Sequence, residues 1–175
     1  AGVRLFELDQ PDVLRLKAAV LTDAGAVPRS DRRAVAVDLR ADWSARLVDA
    51  GFDREVPTAW LAEGLLVYLE PSDVEQLLTA MTELSAPGSR FAAERGDLAR
   101  TMADAARAAA TMSGTAAAAP DDVTRLWHDG PAAGLAGWLA AHGWQTTEHE
   151  LGDLGTAYGR PPSAPTRSGF VTATR

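Results

Sequence analysis

The chain has no cysteine among its 175 residues. Disulfides, thiolate metal sites and cysteine nucleophiles are therefore excluded. No apolar run approaches the length of a bilayer span, so no membrane partner is expected. A basic footprint is missing as well: 24 Asp and Glu outnumber 17 Lys and Arg, for a net charge of −7. That argues against nucleic acid as the main partner. The N-terminal residues lack the charged, apolar and cleavage-site segments of a secretory signal, and a soluble cytoplasmic protein is the expectation. A Gly-x-Gly-x-x-Gly dinucleotide turn is absent, and so is a Gly-x-Ser-x-Gly nucleophile elbow. His128, His142 and His149 have no ligand spacing and no acidic partner motif. They read as helix-end or surface histidines, and no metal site is expected.

What remains is an ordinary globular composition, 46% hydrophobic and 23% charged, long enough for one domain with a real core. Val3–Leu8 is a short apolar strand that ends in acid at Asp9 and is stopped by Pro11. Asp12–Ala24 reads as a helix with Val13, Leu16, Val20 and Leu21 on one face and Gly25 as its stop. Pro28–Arg33 is a polar loop, in which Arg32-Arg33 is a solvated pair. Ala34–Asp38 is a second strand. Trp43–Ala50 is a short helix capped by Asp42 and ended by Gly51. Thr58–Ala62 is a third strand, ending at Glu63-Gly64. Pro71-Ser72 opens a helix with Glu75 placed for a capping box. Ser89–Glu94 is a fourth strand.

Beyond it the pattern predicts an alanine-rich helix over Leu98–Thr111, a short helix over Asp121–Asp129 and another over Ala133–His142. A strand over Trp144–Glu150, a long loop over Leu151–Pro165 and a last strand, Phe170–Thr174, complete the chain. The five tryptophans are expected in the core. Alternation of strand and helix implies an α/β fold with right-handed crossovers and a parallel sheet. The closing strand pair adds an antiparallel edge.

Four successive strands thus end near acid: Asp9, Asp38, Glu63 and Glu94. Ligands of open α/β sheets bind outside the carboxyl ends of the strands. A carboxylate there accepts the hydroxyls of a ribose. A second takes an adenine amino group, with a neighbouring backbone N–H on a ring nitrogen. Asp9 is the first candidate for the ribose, and Glu7, two residues back on the same face, is its rival. Asp38-Leu39 suits the base. The plain alternative for each acid is a helix-start role, where carboxylates favour the dipole and cap free N–H groups.

Phe6-Glu7-Leu8-Asp9-Gln10-Pro11, Ala36-Val37-Asp38-Leu39-Arg40 and Ala62-Glu63-Gly64-Leu65-Leu66-Val67-Tyr68-Leu69 together resemble the leucine carboxyl methyltransferase-like family. The nearest branch is the bacterial group of S-adenosylmethionine-dependent O-methyltransferases. Ala157-Tyr158-Gly159-Arg160-Pro161 and Phe170–Arg175 are similar to that branch too. The resemblance implies a single Rossmann-like class I methyltransferase domain over 1–175, with a helical substrate cover at about 97–130. It implies S-adenosyl-L-methionine as cofactor, with Asp9 on the ribose and Asp38 and Leu39 on the adenine. Glu63 would stand near the methionine part as the catalytic candidate, and Tyr68 near the substrate, although a core tyrosine is the alternative there. The acceptor would be a small molecule or peptide bearing a carboxylate or hydroxyl. The family also carries N-terminal helices and a central strand with a Gly-x-Gly-x-Asp turn. This sequence has neither, and the expectation is a member truncated at its N-terminus. The alternatives are a non-catalytic remnant of such an enzyme, or another nucleotide-binding module on the same architecture.

Overall fold

A computed structural model describes residues 2–95, 127–128, 130–160 and 169–175. The helix expected over 98–111 and all but residues 127–128 of the one expected over 121–129, and so most of the expected substrate cover, lie outside the described residues; Trp127 and His128 are not helical. The chain divides into two compact units, residues 1–54 and 55–175.

The first unit is a two-stranded parallel sheet of β1 (Arg4–Asp9) and β2 (Asp31–Ala36), joined through α1 (Pro11–Asp23) and followed by α2 (Trp43–Asp49). Register runs from Arg4 opposite Asp31 to Asp9 opposite Ala36. Leu14, Val35, Val37, Trp43, Leu47 and Phe52 form its core, and Phe6 meets Phe52 edge-to-face at 5.6 Å. Asp42 caps α2 by accepting the Ala45 N–H at 3.1 Å, as the sequence predicts.

Two features depart from expectation. β2 begins at Asp31 and takes in Arg32 and Arg33, which are not a solvated loop pair. Arg32 binds Glu7, while Arg33 donates to the Ala50 carbonyl at 2.7 Å and lies over the Phe6 ring at 5.8 Å. Their charges are answered within the unit, which is why two arginines fit a strand. In α1 the buried residue is Leu14, whereas Val13, Leu16 and Val20 are exposed.

The second unit holds a four-stranded sheet in the order β3 (Ala59–Ala62), β4 (Arg90–Glu94), β6 (Gly169–Thr174), β5 (Gln145–Glu150). β3 and β4 are parallel, and β6 is antiparallel to both β4 and β5. The antiparallel strand is therefore inside the sheet, not at its edge as expected; β5 is the edge. A 3-10 turn (Leu66–Tyr68), α3 (Pro71–Glu83), α4 (Gly134–Ala141) and α5 (Leu151–Ala157) complete the unit. α5 occupies part of the stretch expected as loop.

The capping box does not form: Glu70 is the N-cap of α3 and Pro71 its first residue, with no side-chain cap. α3 buries Val74, Leu77, Leu78 and Met81. Phe91, Ala93, Leu139, Trp144, Val171 and Ala173 join them in the core. Its two buried serines are hydrogen-bonded. Ser85 Oγ accepts Trp60 Nε1–H and donates to the Met81 carbonyl. Ser89 Oγ accepts the Thr58 N–H. Gly169 is required by close pairing, because a Cβ would sit 2.3 Å from the His149 carbonyl oxygen. Trp43, Trp138 and Trp144 are buried, as expected. Among the described residues no helix is long and apolar enough to cross a membrane.

The resemblance puts a further strand between β1 and β3. Among the described residues, β1 pairs with β2 alone and β3 with β4 alone.

Candidate functional site

In the first unit the candidate residues gather at the carboxyl ends of the paired strands. Asp9 closes β1. Its Oδ1 accepts the Gln10 N–H at 2.7 Å, and its carbonyl accepts the Val37 N–H at 3.0 Å, which ties the strand tip to the chain leaving β2. Asp38 stands two residues beyond β2. Arg40 holds it by Nη2 at 2.6 Å, by Nε at 3.0 Å and by its backbone N–H at 3.0 Å. The Arg40 guanidinium first, then the Arg40 N–H and the Gln10 side chain, keep the Asp38 carboxyl well below the usual carboxylate range. Leu39 is half-buried, and its N–H has no protein acceptor among the described residues.

Glu7 is placed differently. Burial raises its pKa, but hydrogen bonds and charge from Lys17 and Arg32 outweigh this and hold it below its ordinary value. Both of its oxygens are engaged: Lys17 on Oε1, and Arg32 Nε on Oε2 at 2.6 Å. This carboxylate is committed to two cations of its own unit.

The second unit carries the remaining acids. Glu63, just past β3, is exposed and has no protein partner among the described residues. Glu94, at the end of β4, accepts the N–H of Gly64 and fastens the turn after β3. Gly64 has φ +61°, a conformation that favours glycine. Tyr68 is not a core tyrosine; it is 45% exposed.

Beside this turn is a cavity of about 480 Å³ whose walls include Leu66, Val67, Val74, Arg95, His128 and Glu148. Arg95 pairs with Glu150 at 2.6 Å and with Glu148 at 3.3 Å. His128, read from sequence as lacking an acidic partner, has one: Glu70 Oε2 lies 3.3 Å from its Nδ1. The other two histidines are structural. His142 Nδ1 meets the Trp138 carbonyl at 2.7 Å at the end of α4, and His149 Nε2 meets Thr172 Oγ1 at 2.9 Å across the β5–β6 pair. The local sequence around His128 gives no sign of Glu70, because the two meet only through the fold.

Strand tips bearing acids, on α/β units whose second sheet holds one antiparallel strand in its interior, fit a Rossmann-like fold. Solved structures agree on the fold. The apo S-adenosylmethionine-dependent methyltransferase SibL matches 99% of this chain and 43% of its own, with a TM-score of 0.58 at 21% identity. A SAM-dependent methyltransferase from Methanosarcina mazei matches 99% of this chain and 82% of its own, with a TM-score of 0.59 at 14% identity.

The family model described as leucine carboxyl methyltransferase matches residues 1–82. A Mycolicibacterium gilvum protein named "Putative S-adenosyl-L-methionine-dependent methyltransferase" is 46% identical over 93% of this chain and 54% of its own length. A Parafrankia protein of similar name is 42% identical over 100% of this chain and 55% of its own. The chain is thus related by sequence to the leucine carboxyl methyltransferase family and its bacterial branch, as its motifs indicate. It spans about half the length of the curated relatives it matches.

Proposed function

We propose that the chain is part of an S-adenosyl-L-methionine-dependent methyltransferase acting on an oxygen, a carboxylate or hydroxyl, of a small molecule or peptide. The carrying observation is the pair of strand tips in residues 1–54. Asp9 has carboxylate capacity left for a ribose diol, and the Leu39 N–H beside Asp38 suits an adenine ring nitrogen. Asp38 reaches the adenine amino group by sharing or releasing Arg40. Glu7 is the weaker rival, because Lys17 and Arg32 already occupy it.

These residues fit the adenosine half of the cofactor. The chain holds no Gly-x-Gly-x-Asp turn for the methionine half. When bound, the cofactor supplies an activated methyl group on a sulfonium. The protein's task is then to hold and align the partners and to exclude water. In this reading Glu63 lies towards the methionine end and Tyr68 towards the acceptor, and the protein works in the cytoplasm.

Calorimetric titration with S-adenosyl-L-methionine tests the reading. Binding is expected, and the double variant Asp9→Ala, Asp38→Ala should lose about a hundredfold or more in affinity. Charged hydrogen bonds are worth about 1.5–3 kcal/mol each. Binding that survives in the double variant refutes the assignment. No heat at millimolar ligand favours the alternative, a non-catalytic relative that keeps the sheet.

A further inference from the structure

We propose that His128, positioned by Glu70, is the general base of an acceptor site within residues 55–175, and that the acceptor is a neutral, largely apolar compound with a phenol-class hydroxyl. The proposal rests on the methyl-transfer reading and narrows its acceptor.

The cavity beside the 3-10 turn, about 480 Å³, suits a small organic molecule. Leu66, Val67, Val74 and Leu135 give it apolar walls. Its cation, Arg95, is shared between Glu148 and Glu150. A carboxylate acceptor would meet those two acids and compete with both for one guanidinium. A neutral hydroxyl compound meets no such opposition.

His128 is held by its backbone, whose N–H donates to the Val67 carbonyl at 2.8 Å. Its side chain is 32% exposed, and Glu70 stands 3.3 Å from Nδ1. A carboxylate there favours the tautomer with the proton on Nδ1, leaves the Nε2 lone pair available, and stabilises the imidazolium once it forms. Glu70 does not line the cavity, so it is a positioning residue.

The step balances. The acceptor O–H bond breaks and its proton passes to His128 Nε2. The oxygen electron pair forms the bond to the methyl carbon, and the carbon–sulfur bond of the sulfonium donor breaks with its pair left on sulfur. Positive charge moves from sulfonium to imidazolium.

Para-nitrophenol tests this without turnover, because its phenolate absorbs in the visible. Titrated at a pH below its solution ionisation, it should bind saturably to the wild-type chain and show the phenolate band. His128→Gln should abolish the band, and Glu70→Gln, which removes the carboxylate that orients the ring, should weaken it. Circular dichroism checks that each variant keeps its fold; if His128→Gln does not, Glu70→Gln decides. Arg95 and Glu148 line the same cavity and Glu150 holds Arg95, so the band's pH profile is compared with that of Glu75→Gln, an exposed carboxylate of α3 outside the cavity wall, which should keep it. No saturable binding, an unchanged band in the folded variants, or benzoate displacing the probe at lower concentration than phenol does overturns the proposal. Calorimetry with S-adenosyl-L-methionine is run on the same samples. Failure there sinks the methyl-transfer reading, while the spectrum still decides the base.

Discussion

Glu7→Gln separates two acids that sequence alone leaves as rivals. Glu7 accepts from Lys17 and from Arg32, and side-chain exposures decide the weights: 51% for Lys17, 22% for Arg32 and 19% for Glu7. The Lys17 pair is a surface pair, worth about 0–1 kcal/mol. The Arg32 pair is half-buried, with contacts at 2.6 and 2.5 Å, and a charged hydrogen bond of this kind is worth about 1.5–3 kcal/mol. The isosteric change should therefore cost about 2–3 kcal/mol in the first unit. Read by hydrogen exchange at the β1 and β2 amides near neutral pH, this is a loss of protection of about thirtyfold or more.

The sign with pH follows from the lowered pKa of Glu7. Its contribution is fully present above the unfolded value of 4.5 and is lost as pH falls through the lower folded value. The gap between wild type and variant should therefore close in acid. Affinity for S-adenosyl-L-methionine should stay within about twofold, because this carboxylate serves Arg32 and Lys17 rather than a ribose. A protection change under threefold at neutral pH, or a gap undiminished in acid, refutes the reasoning.

Two further substitutions test the frame that carries the site. Leu78→Ala removes a fully buried side chain from α3 and should cost about 2–5 kcal/mol; a loss under 1 kcal/mol in urea denaturation would contradict the assigned core. Asp42→Ala removes the acceptor of the Ala45 N–H and should cost about 1 kcal/mol, seen as faster exchange in α2 with the second unit unchanged.

β1, β3 and β4 were legible because each centres on a short apolar run that ends near acid, and the caps because Asp42, Gly25 and Gly51 sit at fixed offsets from the helix ends. What escaped was settled by partners distant in sequence. Arg32 and Arg33 look like loop until Glu7 and the Ala50 carbonyl answer their charges. The Ser72–Glu75 box is outcompeted by a helix that starts one residue earlier at Pro71. The stripe Val13, Leu16, Val20 has helical spacing, yet burial falls on Leu14. Periodicity gives a face, not what covers it. At the site, strand-end acids were predictable from parallel-sheet logic. That Arg40 grips Asp38 and that Glu94, not Glu63, secures the Gly64 turn depended on side-chain geometry.

The reach of the family match bears on how far the family's name informs the acceptor. The match covers residues 1–82, which contain Asp9, Asp38, Leu39, Glu63 and Glu70. The cavity draws Arg95, His128, Leu135 and Glu148 from beyond it. The proposed donor contacts therefore lie inside the segment that the leucine carboxyl methyltransferase model matches, and most of the proposed acceptor contacts lie outside that segment. A leucine-type carboxylate substrate does not carry over on the strength of the matched segment. The chemistry of the cavity is the better guide: its guanidinium already faces two carboxylates, and its imidazole has a third beside it. An acceptor that arrives as an anion gains little there. One that must lose a proton before it can attack finds a base suited to taking it.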